Sequence, residues 1–202
     1  MGLLVPTEIA IAAVGFTLGV MLPAMALEFS MNSTQSGWLG AIVPMGTLVL
    51  SIPYSLYFSR YKAQNLLAVA AFLGGLGMIL QAWAPTYPLL LVARFAFIAC
   101  VLVRIPAIVL LFRALFHGDS IASANGLVAG ARSVGNMVGV GAMAYLLLLF
   151  GGWRNIYLIA GGLLILAGFG WWVMGRSMQE SEANSPTTVP FTNPFRVLKQ
   201  YP

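Results

Sequence analysis

Four ionisable residues stand inside apolar stretches of this sequence: Glu8, Arg94, Arg104 and Arg132. A charge held in hydrocarbon is costly, so each is a functional candidate by default. Arg carries a planar fork that grips a carboxylate or phosphate through two parallel hydrogen bonds. At helical rise, Arg104 lies about 10 Å from one end of its stretch, and Arg132 about 16 Å into the next stretch from the same side. Two cations at similar depth repel unless an anion lies between or near them. The chemistry they could perform is recognition of a small anion, with Arg104 and Arg132 as first candidates and Arg94 and Asn136 behind them. The competing reading satisfies each Arg with backbone carbonyls or a hidden acidic partner. Glu8 is the sole acidic residue near the interior of any stretch. It could carry a coupling proton, or simply sit at a helix start where the dipole favours an anion.

Other chemistry is poorly supported. His117 stands alone beside Asp119, and Cys100 is the one cysteine, so no His/Cys metal set or internal disulfide can form. No paired acid and base or activated nucleophile appears within the apolar stretches, and no glycine-rich phosphate loop is present. No enzyme activity, cofactor or metal is assigned. Asn32-Ser33-Thr34 matches a glycosylation acceptor, but it lies too near an apolar run to carry weight.

The elements that hold these groups follow from composition. Hydrophobic residues make up 60% of 202 and charged residues 7%, against about 25% charged in soluble domains. Too few charges are present to cover a water-soluble particle. A soluble enzyme, a nucleic-acid binder and a disordered chain are therefore excluded. Six apolar runs are predicted, over about Pro6–Leu27, Gly37–Phe58, Leu66–Trp83, Pro88–Leu111, Ile121–Phe150 and Asn155–Met174. Each is far longer than the roughly ten residues of a barrel strand, so the expected fold is an all-α integral membrane bundle of six transmembrane helices over residues 1–176. The first residues, lacking a positive leader region and a cleavage site, predict a retained first helix. Residues 177–202 are polar and proline-containing and read as a linker or tail; Phe195–Lys199 could open a segment lying on the membrane surface.

Positive charge sets orientation. Arg60, Lys62, Arg113, Arg176, Arg196 and Lys199 fall on one side and Arg154 on the other. The richer side is expected in the cytoplasm, with both termini there. The net charge of +5 has this topological meaning, and no nucleic-acid partner is expected. In the fifth run, Gly126–Gly130 and Gly135–Gly139 are small-xxx-small pairs suited to close helix approach, and Asn136 and Ser133 could bond across helices. Pro23, Pro44, Pro53 and Pro106 could kink their runs.

The sequence resembles the N-terminal half of a major facilitator superfamily transporter. Gly152-Trp153-Arg154 followed by Tyr157 is similar to a family motif between helices 5 and 6. Arg94 with Pro106, Ser33–Leu39 entering helix 2, and Gly135 with Gly139 are also similar to family patterns. In the loop after helix 2, Leu56 and Lys62 fit, but Phe58, Ser59 and Tyr61 replace the family's Asp, Arg and Gly; Val140 stands where antiporters of the family have Pro. The resemblance implies a three-plus-three inverted repeat, with helices 1 and 4 lining a cavity, 2 and 5 flanking it, and 3 and 6 outside. It implies gating or structural roles for Gly135, Gly139, Gly152, Trp153, Arg154 and Lys62. It also implies secondary transport of a small solute, an anion being favoured, by alternating access in the cell membrane. The partners would be the lipid bilayer and a second six-helix half, supplied by a continuation of the chain, a separate chain or self-association. The alternative is a stand-alone six-helix binding or scaffold protein, or a nonfunctional fragment.

Overall fold

In a computed structural model, residues 4–16, 18–58, 61–115 and 120–182 are described. Every regular element among them is helical: α1 (Leu4–Phe16), α2 (Leu18–Glu28), α3 (Ser33–Phe58), α4 (Ala63–Trp83), α5 (Tyr87–Leu102), α6 (Arg104–Leu115), α7 (Ser120–Leu149) and α8 (Trp153–Glu182). His117, Asp119, Arg60 and residues 183–202, including the expected surface segment, lie outside the described residues.

Five helical runs are long and apolar enough to cross a bilayer: Leu4–Glu28, Ser33–Phe58, Ala63–Trp83, Tyr87–Phe112 and Trp153–Gly175. α7 takes the place of the fifth expected run. Its 30 residues have ample length for a hydrocarbon core of about 30 Å, but Arg132, Ser133 and Asn136 make its middle more polar. In α8 the helix continues past the apolar stretch to Glu182, because Arg, Ser, Gln and Glu end its apolarity without ending its helical hydrogen bonding.

Local chemistry explains the boundaries. Asn32 and Gln35 exchange reciprocal bonds at the start of α3, Asn32 N–H donating to Gln35 Oε1 at 3.0 Å and Gln35 N–H to Asn32 Oδ1 at 2.8 Å. This capping box occupies the side chain of the apparent glycosylation acceptor. The fourth run is interrupted at Val103, between α5 and α6. Pro106 has no N–H to give the Leu102 carbonyl, which frees one helical bond there. Pro23, Pro44 and Pro53, by contrast, lie within α2 and α3, so only Pro106 coincides with an interruption. The turn into α8 uses Gly151 and Gly152 at φ 70° and 144°, backbone that side chains beyond Gly rarely adopt.

Packing follows a regular scheme. α1 lies along α7, α3 along α5, and α4 along α8, while α4 also packs on α5 and α6, and α8 on α1 and α2. Numbering the runs one to six, exchange of one with four, two with five and three with six maps this pairing onto itself. That is the pattern a three-plus-three repeat requires. Close glycine contacts set the spacing. A Cβ on Gly75 would stand 2.6 Å from the Gly161 carbonyl oxygen, and one on Gly168 2.8 Å from the Phe72 nitrogen, so α4 and α8 meet backbone to backbone.

α4 is the most buried of the five apolar runs, because α8 lies on one side and α5–α6 on the other. From Val69 onward its exposed stripe, Val69, Phe72, Leu76 and Leu80, is apolar. So is that of α8, with Leu163, Leu166 and Phe169. Such faces suit lipid, where apolar exposure carries no hydration cost.

Candidate functional site

The four interior charges separate into two clusters. The first joins three helices. α1 carries Glu8, whose side chain is 0% exposed, α6 opens with Arg104 at 14%, and α7 carries Arg132 at 41%. Arg104 Nη1 donates to Glu8 Oε2 in a short ion pair. Arg132 Nε donates to the same oxygen at 2.7 Å. The anion that must separate the two guanidinium groups is therefore part of the chain. One carboxylate so placed offsets the repulsion of both cations in a low-dielectric setting.

The triad is incompletely satisfied. Glu8 Oε1 and Arg104 Nε are buried without a hydrogen-bond partner among the described residues. Arg132 spends only Nε on Glu8, which leaves its Nη1 and Nη2 free of protein hydrogen bonds among the described residues. Its outer edge is thus an unused fork at a half-exposed position. Asn136 lies one turn further along α7, so it shares that face. Its Oδ1 is buried and has no partner among the described residues. Ser133, which could have bonded across helices, instead donates to the Ala129 carbonyl of its own helix at 3.1 Å.

Two glycines let α7 carry Arg132 up to Glu8. A Cβ on Gly135 would meet the Ile9 carbonyl oxygen and Ala12, and one on Gly139 would meet the Ala13 carbonyl oxygen. Both contacts lie on α1, within a turn or so of Glu8. The other small pair behaves differently. Nothing lies within 4 Å of a Cβ placed on Gly126 or Gly130, so the expected close approach occurs at one pair alone. The α1 end is anchored again by Thr7, whose hydroxyl accepts a 3.3 Å hydrogen bond from Trp171 Nε1 of α8.

Arg94 belongs to a separate cluster. It is 1% exposed, and its Nη1 donates to Gln81 Oε1 of α4 at 3.4 Å. Gln81 is itself buried and donates from Nε2 to the Gly77 carbonyl at 3.1 Å. The Arg94 guanidinium also lies 5.5 Å from the Phe97 ring centroid, a cation–π contact. Its Nε and Nη2 have no partner among the described residues. Ten residues separate it from Arg104, about 15 Å along the helical axis, so the structure does not bring it to the triad.

At the opposite end of the bundle, Arg154 ties three helices together. It pairs with Glu28 at the end of α2, Nη2 to Oε1 at 2.7 Å. It also donates to the carbonyls of Ala82 and, at 2.9 Å, Ala84, where α4 ends. Its guanidinium stacks 4.7 Å from the Trp153 ring centroid and 5.6 Å from that of Phe29. Trp153 Nε1 donates to Glu28 Oε2 at 2.6 Å. Helix carbonyls left open at a C-terminus are thus capped by a cation, which also neutralises a carboxylate that the α2 dipole disfavours. Glu28 read as a loop residue in the sequence. Its position directly after Leu27, the last residue of the first apolar run, was the only signal of this role. Lys62 stands exposed at the start of α4, remote in sequence from the triad.

A bundle of membrane-length helices, apolar on its outer stripes and carrying a buried ion triad, defines a multi-pass integral membrane protein. Residues 4–202 match the model of the Major Facilitator Superfamily, and the chain belongs to that family of membrane solute transporters. No curated protein matches the chain.

Proposed function

We propose that this chain forms one six-helix half of a secondary transporter for a small anion, with Arg132 as the group that reads the anion. The observation that carries this reading is the unused Nη edge of Arg132 beside a carboxylate that neutralises only one of two guanidinium groups. Asn136 supplies a polar group on the same face, and Arg104 holds Glu8 in place. Glu8 is the coupling candidate. Alternating access needs a second half rocking against this one around the site. Such a half comes from a continuation, a separate chain or a second copy. In this reading the bundle sits in the cell membrane with both termini in the cytoplasm, an orientation supported by the bias of Lys and Arg toward one end.

The test is uptake of radiolabelled anions into proteoliposomes. The chain is reconstituted alone and with any six-helix half encoded in frame beyond Pro202 or in a neighbouring gene. Anion uptake that is lost in Arg132→Gln supports the reading. Uptake left unchanged by both Arg104→Gln and Arg132→Gln sinks it.

A further inference from the structure

The triad holds one carboxylate against two guanidinium groups, and this inequality has a consequence for what can bind. Glu8 is fully buried, and its Oε2 is shared between Arg104 and Arg132. No other charged side chain among the described residues pairs with any of the three. With Glu8 ionised, the cluster carries a single uncompensated positive charge. That charge is most accessible at the Arg132 fork, because the Arg104 side chain is largely buried. An occupant carrying one negative charge neutralises the cluster. A second negative charge would have no cation left to meet it and would face the Glu8 carboxylate across the same guanidinium. In a poorly screened interior that repulsion is much larger than in water.

Resting on the anion reading above, we infer that the Glu8–Arg104–Arg132 cluster selects its ligand by valence, taking a singly charged carboxylate in preference to a doubly charged one. Arg132 is the contact and Glu8 the specificity-determining residue. Glu8 excludes the dianion by occupying the charge that would otherwise receive it. The number of positive charges left on the triad sets the number of negative charges accepted.

The experiment uses monomethyl succinate and succinate, which share a backbone and differ by one charge, at a pH where succinate is fully ionised. The chain is held in nanodiscs of zwitterionic lipid at fixed ionic strength. Binding is read from the concentration of each probe that gives half of the rise in unfolding temperature. The native chain is expected to respond to the monoanion at a concentration about tenfold lower than to the dianion. Glu8→Gln, which leaves two positive charges, should reverse the order. The double variant Glu8→Gln with Arg104→Gln restores a single charge and should restore the native order, even where the single variant fails to fold. Arg104→Gln alone leaves no net charge and should weaken both probes. A preference that stays the same across these variants overturns selection by valence while leaving anion binding intact. If neither probe shifts the native chain, or both shift it as much after Arg132→Gln, the anion reading itself falls and the valence claim with it.

Discussion

Arg132 Nε lies 2.7 Å from Glu8 Oε2 across 124 residues of sequence, and the same oxygen accepts from Arg104. The three members of this cluster are unequal because their burial differs. Removing the fully buried carboxylate strands a nearly buried guanidinium, so Glu8→Gln is expected to lower stability by roughly 3–5 kcal/mol. Arg132→Gln should cost less, since its side chain is 41% exposed and its loss leaves Glu8 still paired with Arg104. Arg104→Gln should fall between them. Denaturant unfolding in a mild detergent checks the order, and equal losses for Glu8→Gln and Arg132→Gln would contradict it.

The two glycine pairs of α7 should respond oppositely to the same change. Gly139→Ala drives a methyl into the Ala13 carbonyl of α1 and should destabilise the bundle by about 1–3 kcal/mol. Gly126→Ala meets open space and should be neutral, or stabilise by up to about 1 kcal/mol through helix propensity. Unfolding temperatures of the two variants, measured side by side, decide the point.

Arg94 and Gln81 form a buried pair in which the cation is under-satisfied. Arg94→Met removes two unpartnered guanidinium nitrogens but leaves Gln81 Oε1 without its donor, so it is expected to cost at most about 1–2 kcal/mol. Gln81→Leu leaves the guanidinium with no side-chain acceptor and should cost roughly 2–4 kcal/mol. A large loss in Arg94→Met with a small one in Gln81→Leu would show that this account of the pair is wrong.

The Arg154 cluster draws its strength from geometry more than from charge. The Arg154 and Glu28 side chains are 32% and 40% exposed, so the ion pair alone is worth about 0–1 kcal/mol. The bonds to the Ala82 and Ala84 carbonyls and the stacking on Trp153 and Phe29 need the planar fork. Arg154→Lys should therefore lose most of what Arg154→Ala loses, about 1–3 kcal/mol. Glu28→Gln should lose less, while altering Trp153 fluorescence through the Nε1 hydrogen bond. A lysine variant as stable as the native chain would show that charge alone suffices.

Much of this was legible from residue types. Long apolar runs with few charges dictate helices in lipid, since an unpaired backbone there is too costly, and the runs found match the helices closely. Glycine at 135 and 139 announced a close helix contact, and Gly152-Trp153-Arg154 marked the connection between the last two runs. The same reasoning could not tell the 135–139 pair from the 126–130 pair. Both have the spacing, and only the neighbour they face distinguishes them. Prolines were equally ambiguous: four had the same licence to bend a helix, and Pro106 alone coincides with an interruption.

The sequence by itself determined that the protein lives in a membrane, that its chain crosses as apolar helices, and that a handful of buried charges must be answered. These follow from solvation, which acts on each residue wherever it ends up. Only the tertiary structure decided how the charges are answered. Glu8 read as a residue at a helix start, yet its partners are 96 and 124 residues away, and their meeting depends on α1 packing against α7 through two glycines. Glu28 and Arg154 meet 126 residues apart for the same kind of reason. Ion pairing acts over a few ångströms, so it is settled by which helix faces which.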